Sequence, residues 1–273
     1  MSPEVTGRRR VFRLGAIRSG VIRVRPIPAR RLYGLARSLL LYHWPPRRKR
    51  QVDRFYRDLL RAGDLCFDIG AHAGSRTLSF LRLGCRVVAL EPQPDFVRLL
   101  RLLAGGRATI VPAAVGARAG TLVLRVSDAT PTVTSGSEAF VAAAASIPSF
   151  AAVRFERRIE VAQTTLDGLI AAHGMPDFVK LDVEGMEEAA LRGLSRPPRL
   201  LSFEFLAARP DATRRCLDRL GALAGWRYNL SRGESLTMHW PAWVERAVLQ
   251  QWLDAHAGED FSGDIYARRD DEA

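Results

Sequence analysis

Seven consecutive residues, Asp68-Ile69-Gly70-Ala71-His72-Ala73-Gly74, could hold a small charged molecule. They lie between an apolar run, Asp64 to Ile69, and a stretch with helical periodicity, Ser75 to Leu83. A strand, a glycine turn and a helix in that order form the place where α/β sheets bind nucleotides. Gly70 permits a tight turn and a close backbone approach because it lacks a Cβ. Gly74 lets the loop pack as it enters the helix. Glu91 and Pro92 follow a second apolar run, Arg86 to Leu90. An acid at the end of the second strand, about twenty residues beyond the first motif, can accept hydrogen bonds from both hydroxyls of a ribose. The plainer alternative is a structural turn beside a surface glutamate.

Asp68 decides between cofactors. It stands where the dinucleotide pattern G-x-G-x-x-G has its first glycine. A carboxylate there repels a pyrophosphate and favours an ammonium, directly or through water. The loop therefore suits the methionine end of S-adenosylmethionine, with Asp68, Gly70, Ala71, His72, Gly74, Glu91 and Pro92 as its expected contacts. An NAD-dependent oxidoreductase is the competing reading, and it needs the glycine that Asp68 displaces. The region of the third strand, Val111 to Gly116, has no acid to read an adenine amino group, which leaves Asp128 as the nearest substitute.

A second ionisable group is Lys180, Asp182 and Glu184 at the end of the run Asp177 to Val183, with Glu204 ending the run Arg199 to Phe205. If these two strands are neighbours, Asp182 and Glu204 converge. An alcohol is a poor nucleophile until its proton is removed, so one carboxylate could act as a general base. Alternatively, Asp182 and Glu204 could hold Mg²⁺, which prefers hard oxygen ligands. Lys180 reads equally as a catalyst or as an ion-pair partner of Asp182. Glu187 and Glu188 read as acids in the first turn of a helix, where they favour its dipole. His72 reads as a positioning residue. His239 could face an acceptor or be structural.

The elements that must position these groups alternate along the chain. Strands are expected at 64–69, 86–90, 109–115, 121–126, 158–163, 177–183, 199–205, 226–230 and 263–267. Helices are expected at 52–60, 75–83, 94–103, 165–174 with a Thr165 cap, 187–194, 211–223 and 244–256. Such alternation predicts a parallel sheet covered on both faces. Residues 127–150, rich in Ala, Ser and Thr, read as a long loop that could cover an acceptor.

Of the 273 residues, 47% are hydrophobic and 26% charged, as in ordinary globular proteins. The net charge of +12 is uneven. Residues 1–50 hold fourteen Lys or Arg against Glu4 alone, a net +13, which leaves the remainder at −1. We therefore divide the chain into a basic arm, 1–50, helical in part, and one domain, 51–270. Leu32 to Trp44 is apolar and runs into Arg47-Arg48-Lys49-Arg50, so it could lie on an anionic membrane surface or dock on the domain. The arm also admits an RNA acceptor. However, it carries few aromatic residues, and the N/D-P-P-Y motif of many base aminomethylases is absent. No run of eighteen apolar residues occurs. Cys66, Cys85 and Cys216 form no C-x-x-C pair, and a reducing, cytoplasmic setting is expected.

Taken together, four stretches resemble the FkbM family of methyltransferases: Phe67 to Gly74, Val87 to Pro94, Thr164 to Ile170 and Phe178 to Gly193. They span most of residues 60–205. The resemblance implies a class I Rossmann-like α/β fold, a seven-stranded mostly parallel sheet with an antiparallel last strand and helices on both faces. It also implies methyl transfer from S-adenosylmethionine to a hydroxyl of a sugar, a glycan or a natural-product scaffold. Two positions depart from the family pattern. His72 stands where Asn is common, and Glu204-Phe205-Leu206 lacks the histidine of the expected acid-x-His.

Overall fold

A computed structural model describes residue 37, residues 46–130 and residues 133–270. Of the arm expected over 1–50, residues 1–36 and 38–45, and with them its apolar stretch 32–44 apart from Arg37, lie outside the described residues. The basic run Arg47 to Arg50 lies within the helix α1 (Pro46–Arg57), which starts six residues earlier than expected. Val52, Phe55 and Tyr56, spaced for one helical face, are buried.

A seven-stranded sheet forms the body. Its strands are β1 (Leu65–Ile69), β2 (Arg86–Leu90), β3 (Ala108–Val111), β8 (Phe178–Leu181), β9 (Leu200–Leu206), β10 (Trp226–Arg232) and β11 (Ser262–Arg269). Their order is β10-β11-β9-β8-β1-β2-β3. The block from β9 to β3 is parallel, and β11 runs antiparallel to both β9 and β10. This bears out the expected sheet with an antiparallel last strand. From β1 the chain winds outward through β2 to β3, then returns to β8 on the other side of β1. The carboxyl ends of β1 and β8 therefore flank a topological switch point, where such sheets open a crevice.

The sheet is covered on both faces. On one face, Phe67, Ile69, Val179, Leu181, Leu201 and Phe203 meet Leu169 and Ile170 of α5 (Leu166–His173), Leu191 of α6 (Glu187–Arg192), Leu217 and Leu220 of α7 (Pro210–Gly221) and Leu249 of α8 (Arg246–Ala255). On the other, Cys66, Phe178 and Leu200 pack with Val52, Phe55 and Tyr56 of α1 and Phe80 of α2 (Ser75–Arg82). Fully burying such a side chain contributes about 1.5–3 kcal/mol. One step toward the carboxyl ends, this second face changes character. Asp68, Lys180 and Ser202 lie side by side in register, all buried. Buried polar groups are costly without partners, so this row needs something to face.

Two expectations are corrected here. Residues 109–115 do not form one strand. Pro112 has no N–H to donate, and the chain leaves the large sheet after Val111. It re-enters as β4 (Ala114–Val115) in a separate four-stranded sheet of order β4-β7-β5-β6. This sheet adds β5 (Gly120–Val126), β6 (Thr134–Ser135) and β7 (Arg157–Thr164). Nor are residues 127–150 merely a loop, since they include β6, the helix α4 (Glu138–Ala144) and a 3₁₀ turn, Pro148–Phe150. Ser137 caps α4, accepting from the Phe140 N–H at 3.1 Å. The Thr165 cap is present as expected, accepting from the Gly168 N–H at 2.9 Å. Among the described residues, no helix is long and apolar enough to cross a membrane. All three cysteines are free and buried.

Candidate functional site

The loop after β1 is shaped by close approach. Gly70 has φ 82°, and a Cβ there would stand 1.8 Å from the backbone oxygen of Asp182. The loops after β1 and β8 thus pass back to back with no room between them. The Gly70 and Ala71 N–H groups both donate to the Leu90 carbonyl, at 2.9 and 3.0 Å. At Gly74, also at φ 82°, a Cβ would meet Leu100 of α3 (Pro94–Ala104) at 2.7 Å. His72 takes a positive φ of 47° without being glycine, and its ring lies 3.9 Å from that of Phe96. A non-glycine residue held there marks a site whose surroundings over-determine the backbone.

Glu91 is 3% exposed. Its two carboxylate oxygens accept from the backbone N–H groups of His72 at 2.9 Å and Gln93 at 2.8 Å. Burial nevertheless pushes its carboxyl up to about 7. Asp68 accepts the Thr77 hydroxyl at 2.5 Å, and burial raises its carboxyl too.

Two adjoining cavities open along these residues. One is walled mainly by Leu90, Pro92, Ala113, Val115, Leu122 and Leu124, with Glu91 also lining it. The charged residues of the other are Asp68, Arg76, Lys180, Asp182, Glu184 and Glu234. Gly70, His72, Asp182 and Glu184 line both. Ala71 lines the charged cavity, and Gly74 packs behind it.

Asp182 and Glu184 lie just past β8, and Glu204 lies within the adjacent β9. The expected convergence of Asp182 and Glu204 is present and includes Glu184: one carboxylate oxygen of each lies within 4.8 Å of the others. Glu184 has φ 50°, and its carbonyl accepts the Ser135 hydroxyl at 2.6 Å, which ties this loop to β6. Burial and the neighbouring acids hold the Glu184 and Glu204 carboxyls well above the usual range. Asp182 differs. Burial would raise it, but Lys180 Nζ at 2.6 Å outweighs burial and keeps it below its ordinary value. Lys180 is 2% exposed and also lies 4.0 Å from Asp264. Burial works against its charge, yet Asp182 and Asp264 hold the ammonium well above its ordinary range. Of the two readings of Lys180, the ion pair is the one present.

Other candidates lie elsewhere. Glu187 accepts from the Val183 and Gly185 N–H groups at 3.1 and 3.2 Å, the helix-entry role expected of it. Glu188 pairs with Arg192 and Arg215. Asp128 pairs with Arg157 at 3.2 Å and lines neither cavity. His239 is exposed and stacks edge-on against Trp240 at 4.6 Å, lining neither cavity. Sequence reasoning missed Arg76, Thr77, Leu122, Leu124, Glu234 and Asp264. Arg76 and Thr77 follow Gly74 directly, so the first helical turn after the glycine loop was an available signal. Leu122 and Leu124 alternate along β5, but no local feature aims them at β2.

No curated protein matches the sequence. Solved structures similar to this one include an O-methyltransferase from Bacillus cereus in complex with SAH (14% identity, 90% of this chain and 93% of that chain covered, TM-score 0.42). Others are a precorrin-6y C5,15-methyltransferase from Geobacter metallireducens (12% identity, 81% and 87% covered, TM-score 0.42) and a TehB-like SAM-dependent methyltransferase from Corynebacterium glutamicum (11% identity, 81% and 88% covered, TM-score 0.41). At these scores the fold is read from the strand order itself. The family model described as the methyltransferase FkbM domain matches residues 68–213, from the aspartate that opens the glycine loop to the third residue after the start of α7. Since that span is more than half of the chain and holds both sets of acids, the protein belongs to the FkbM methyltransferase family and is an S-adenosylmethionine-dependent methyltransferase.

Proposed function

We propose that the protein methylates a hydroxyl on a sugar, a glycan or a natural-product scaffold. The observation that carries this reading is the meeting of an apolar and a charged cavity beside three carboxylates. The residues present fit the cofactor. The apolar walls suit an adenine, Glu91 is aimed by two backbone N–H groups to accept ribose hydroxyls, and Asp68 offers its carboxylate to an ammonium. When bound, S-adenosylmethionine supplies an electrophilic methyl group on a sulfonium. Asp182, kept ionised by Lys180, complements that positive charge. Glu184 and Glu204 lie beside Asp182, where a carboxylate in its ionised form could take the hydroxyl proton.

Incubation with S-adenosylmethionine and a panel of sugar and polyketide alcohols tests this, with S-adenosylhomocysteine as the by-product measured. Calorimetry with S-adenosylhomocysteine should show binding, and NADH should show none. The opposite pattern, or a diphosphate seated over Gly70, sinks the reading. A second reading is favoured by the carboxylate trio itself, in which Asp182, Glu184 and Glu204 hold Mg²⁺ beside the acceptor. A chelator that leaves turnover unchanged excludes it. Removing residues 1–45 leaves alcohol methylation intact on our reading, whereas an RNA acceptor would need the basic arm.

A further inference from the structure

We propose that Arg76 anchors the carboxylate of the amino-acid end of S-adenosylmethionine, an inference that rests on the cofactor reading above. Arg76 sits in the first turn of α2, two residues past Gly74, and is 9% exposed. Its Nη2 donates to Glu234 at 2.7 Å. Among the described residues, Nε and Nη1 have no hydrogen-bond partner, although both are shut off from solvent. A guanidinium carries five N–H donors and cannot lose its charge, so buried donors left over call for a partner, an ordered water or a ligand.

The surroundings say which ligand. Arg76 lines the charged cavity with one other cation, Lys180, and that ammonium is committed to Asp182 at 2.6 Å. The other charged residues of the wall are acidic: Asp68, Asp182, Glu184 and Glu234. A phosphate would meet four carboxylates there. An α-amino acid is a zwitterion and fits the charge arrangement, with its ammonium toward Asp68 and its carboxylate toward the Arg76 guanidinium, whose unpartnered donors it would reach by a small shift of that side chain. Glu234 pairs with Arg48 of α1 at 2.8 Å as well as with Arg76, so its charge is shared between two guanidinium groups.

The test compares two ligands on two proteins. S-adenosylhomocysteine carries the amino-acid tail, and 5′-methylthioadenosine keeps the adenosine and sulfur but lacks it. In calorimetry, Arg76→Gln should weaken S-adenosylhomocysteine roughly 10- to 150-fold, the range expected for loss of a charge-assisted hydrogen bond. It should leave 5′-methylthioadenosine within about twofold. The decarboxylated analogue of S-adenosylhomocysteine gives an arm that needs no mutation: wild-type protein should bind it more weakly by a similar factor, and Arg76→Gln should not distinguish the two. Equal losses for both tailed and tailless ligands would make Arg76 merely structural and overturn the proposal. So would a wild type indifferent to the carboxylate. A wild type that binds neither adenosyl compound overturns the cofactor reading itself, an outcome distinct from either.

Discussion

The two cavities of the cleft are built from opposite materials. The apolar one takes its walls from β2, from β4 and from β5 of the small sheet, and Leu90, Val115 and Leu124 are buried there at no polar cost. The charged one grows out of the polar row on the large sheet, Asp68 and Lys180, capped by Arg76 and Glu234 from outside it. The first can recognise a flat heterocycle by shape, and loosening it should weaken every adenosyl ligand alike. The second reads charge, and damage to it should be felt only by ligands with an amino-acid tail. A buried row of this kind adds little to stability, because desolvation of the charges offsets their attraction. Its presence is better explained by a ligand than by the fold.

The largest effect is expected at Gly70, one of the residues common to both cavities. Gly70→Ala forces a Cβ onto the Asp182 oxygen at a positive φ, which should cost at least about 3 kcal/mol of stability in denaturant melts. Binding of both S-adenosylhomocysteine and 5′-methylthioadenosine should be lost. A variant as stable as wild type would mean that the two loops are not in contact.

Asp68→Asn comes next. Loss of the buried charge should weaken S-adenosylhomocysteine roughly 10- to 150-fold while sparing the tailless compound. Equal losses for both would erase the division between the cavities.

The pH dependence of binding sharpens the apolar side. The Glu91 carboxyl lies near 7 in the folded protein against 4.5 ordinarily, because burial favours the neutral form. Ribose hydroxyls donate best to the ionised form, so affinity for both ligands should fall as pH drops below about 7, by at most about tenfold per unit. Glu91→Gln should flatten that profile. Stability has its own sign. A carboxyl raised in the folded state stabilises fully below its unfolded value, and that contribution is lost as pH rises through about 7. Glu187, likewise pushed up to about 7 by burial, should act in the same direction, so the ligand-free protein should lose stability between about pH 4.5 and 7 in thermal melts.

The smallest effect belongs to Leu122→Ala on the apolar wall. Partial loss of contact with an adenine should cost roughly three- to tenfold, equally for both ligands. A loss confined to the tailed compound would move Leu122 to the wrong side of the cleft.

What the sequence made legible was local. Asp68 to Gly74 and Glu91 are readable because a strand, a turn and a helix are consecutive in the chain, and their hydrogen bonds to Leu90, His72 and Gln93 follow from that order. The pairing of Asp182 with Glu204 needed one further assumption, the neighbouring of β8 and β9, which holds. The small sheet was not legible. Its strands are short, β4 and β6 having two residues each, and nothing local distinguishes Ala114 as the start of a new sheet except Pro112 before it. Glu234 was invisible for another reason. It reaches Arg76 across 158 positions of sequence, from a turn with no periodicity of its own.

Because one Glu234 oxygen serves both Arg48 and Arg76, the outermost helix and the cleft share a counter-ion. Cutting the chain after Arg48 leaves that oxygen to Arg76 alone. A shortened enzyme of this kind keeps every wall residue of both cavities but not the shared charge, so acceptor screens are best run on the full chain.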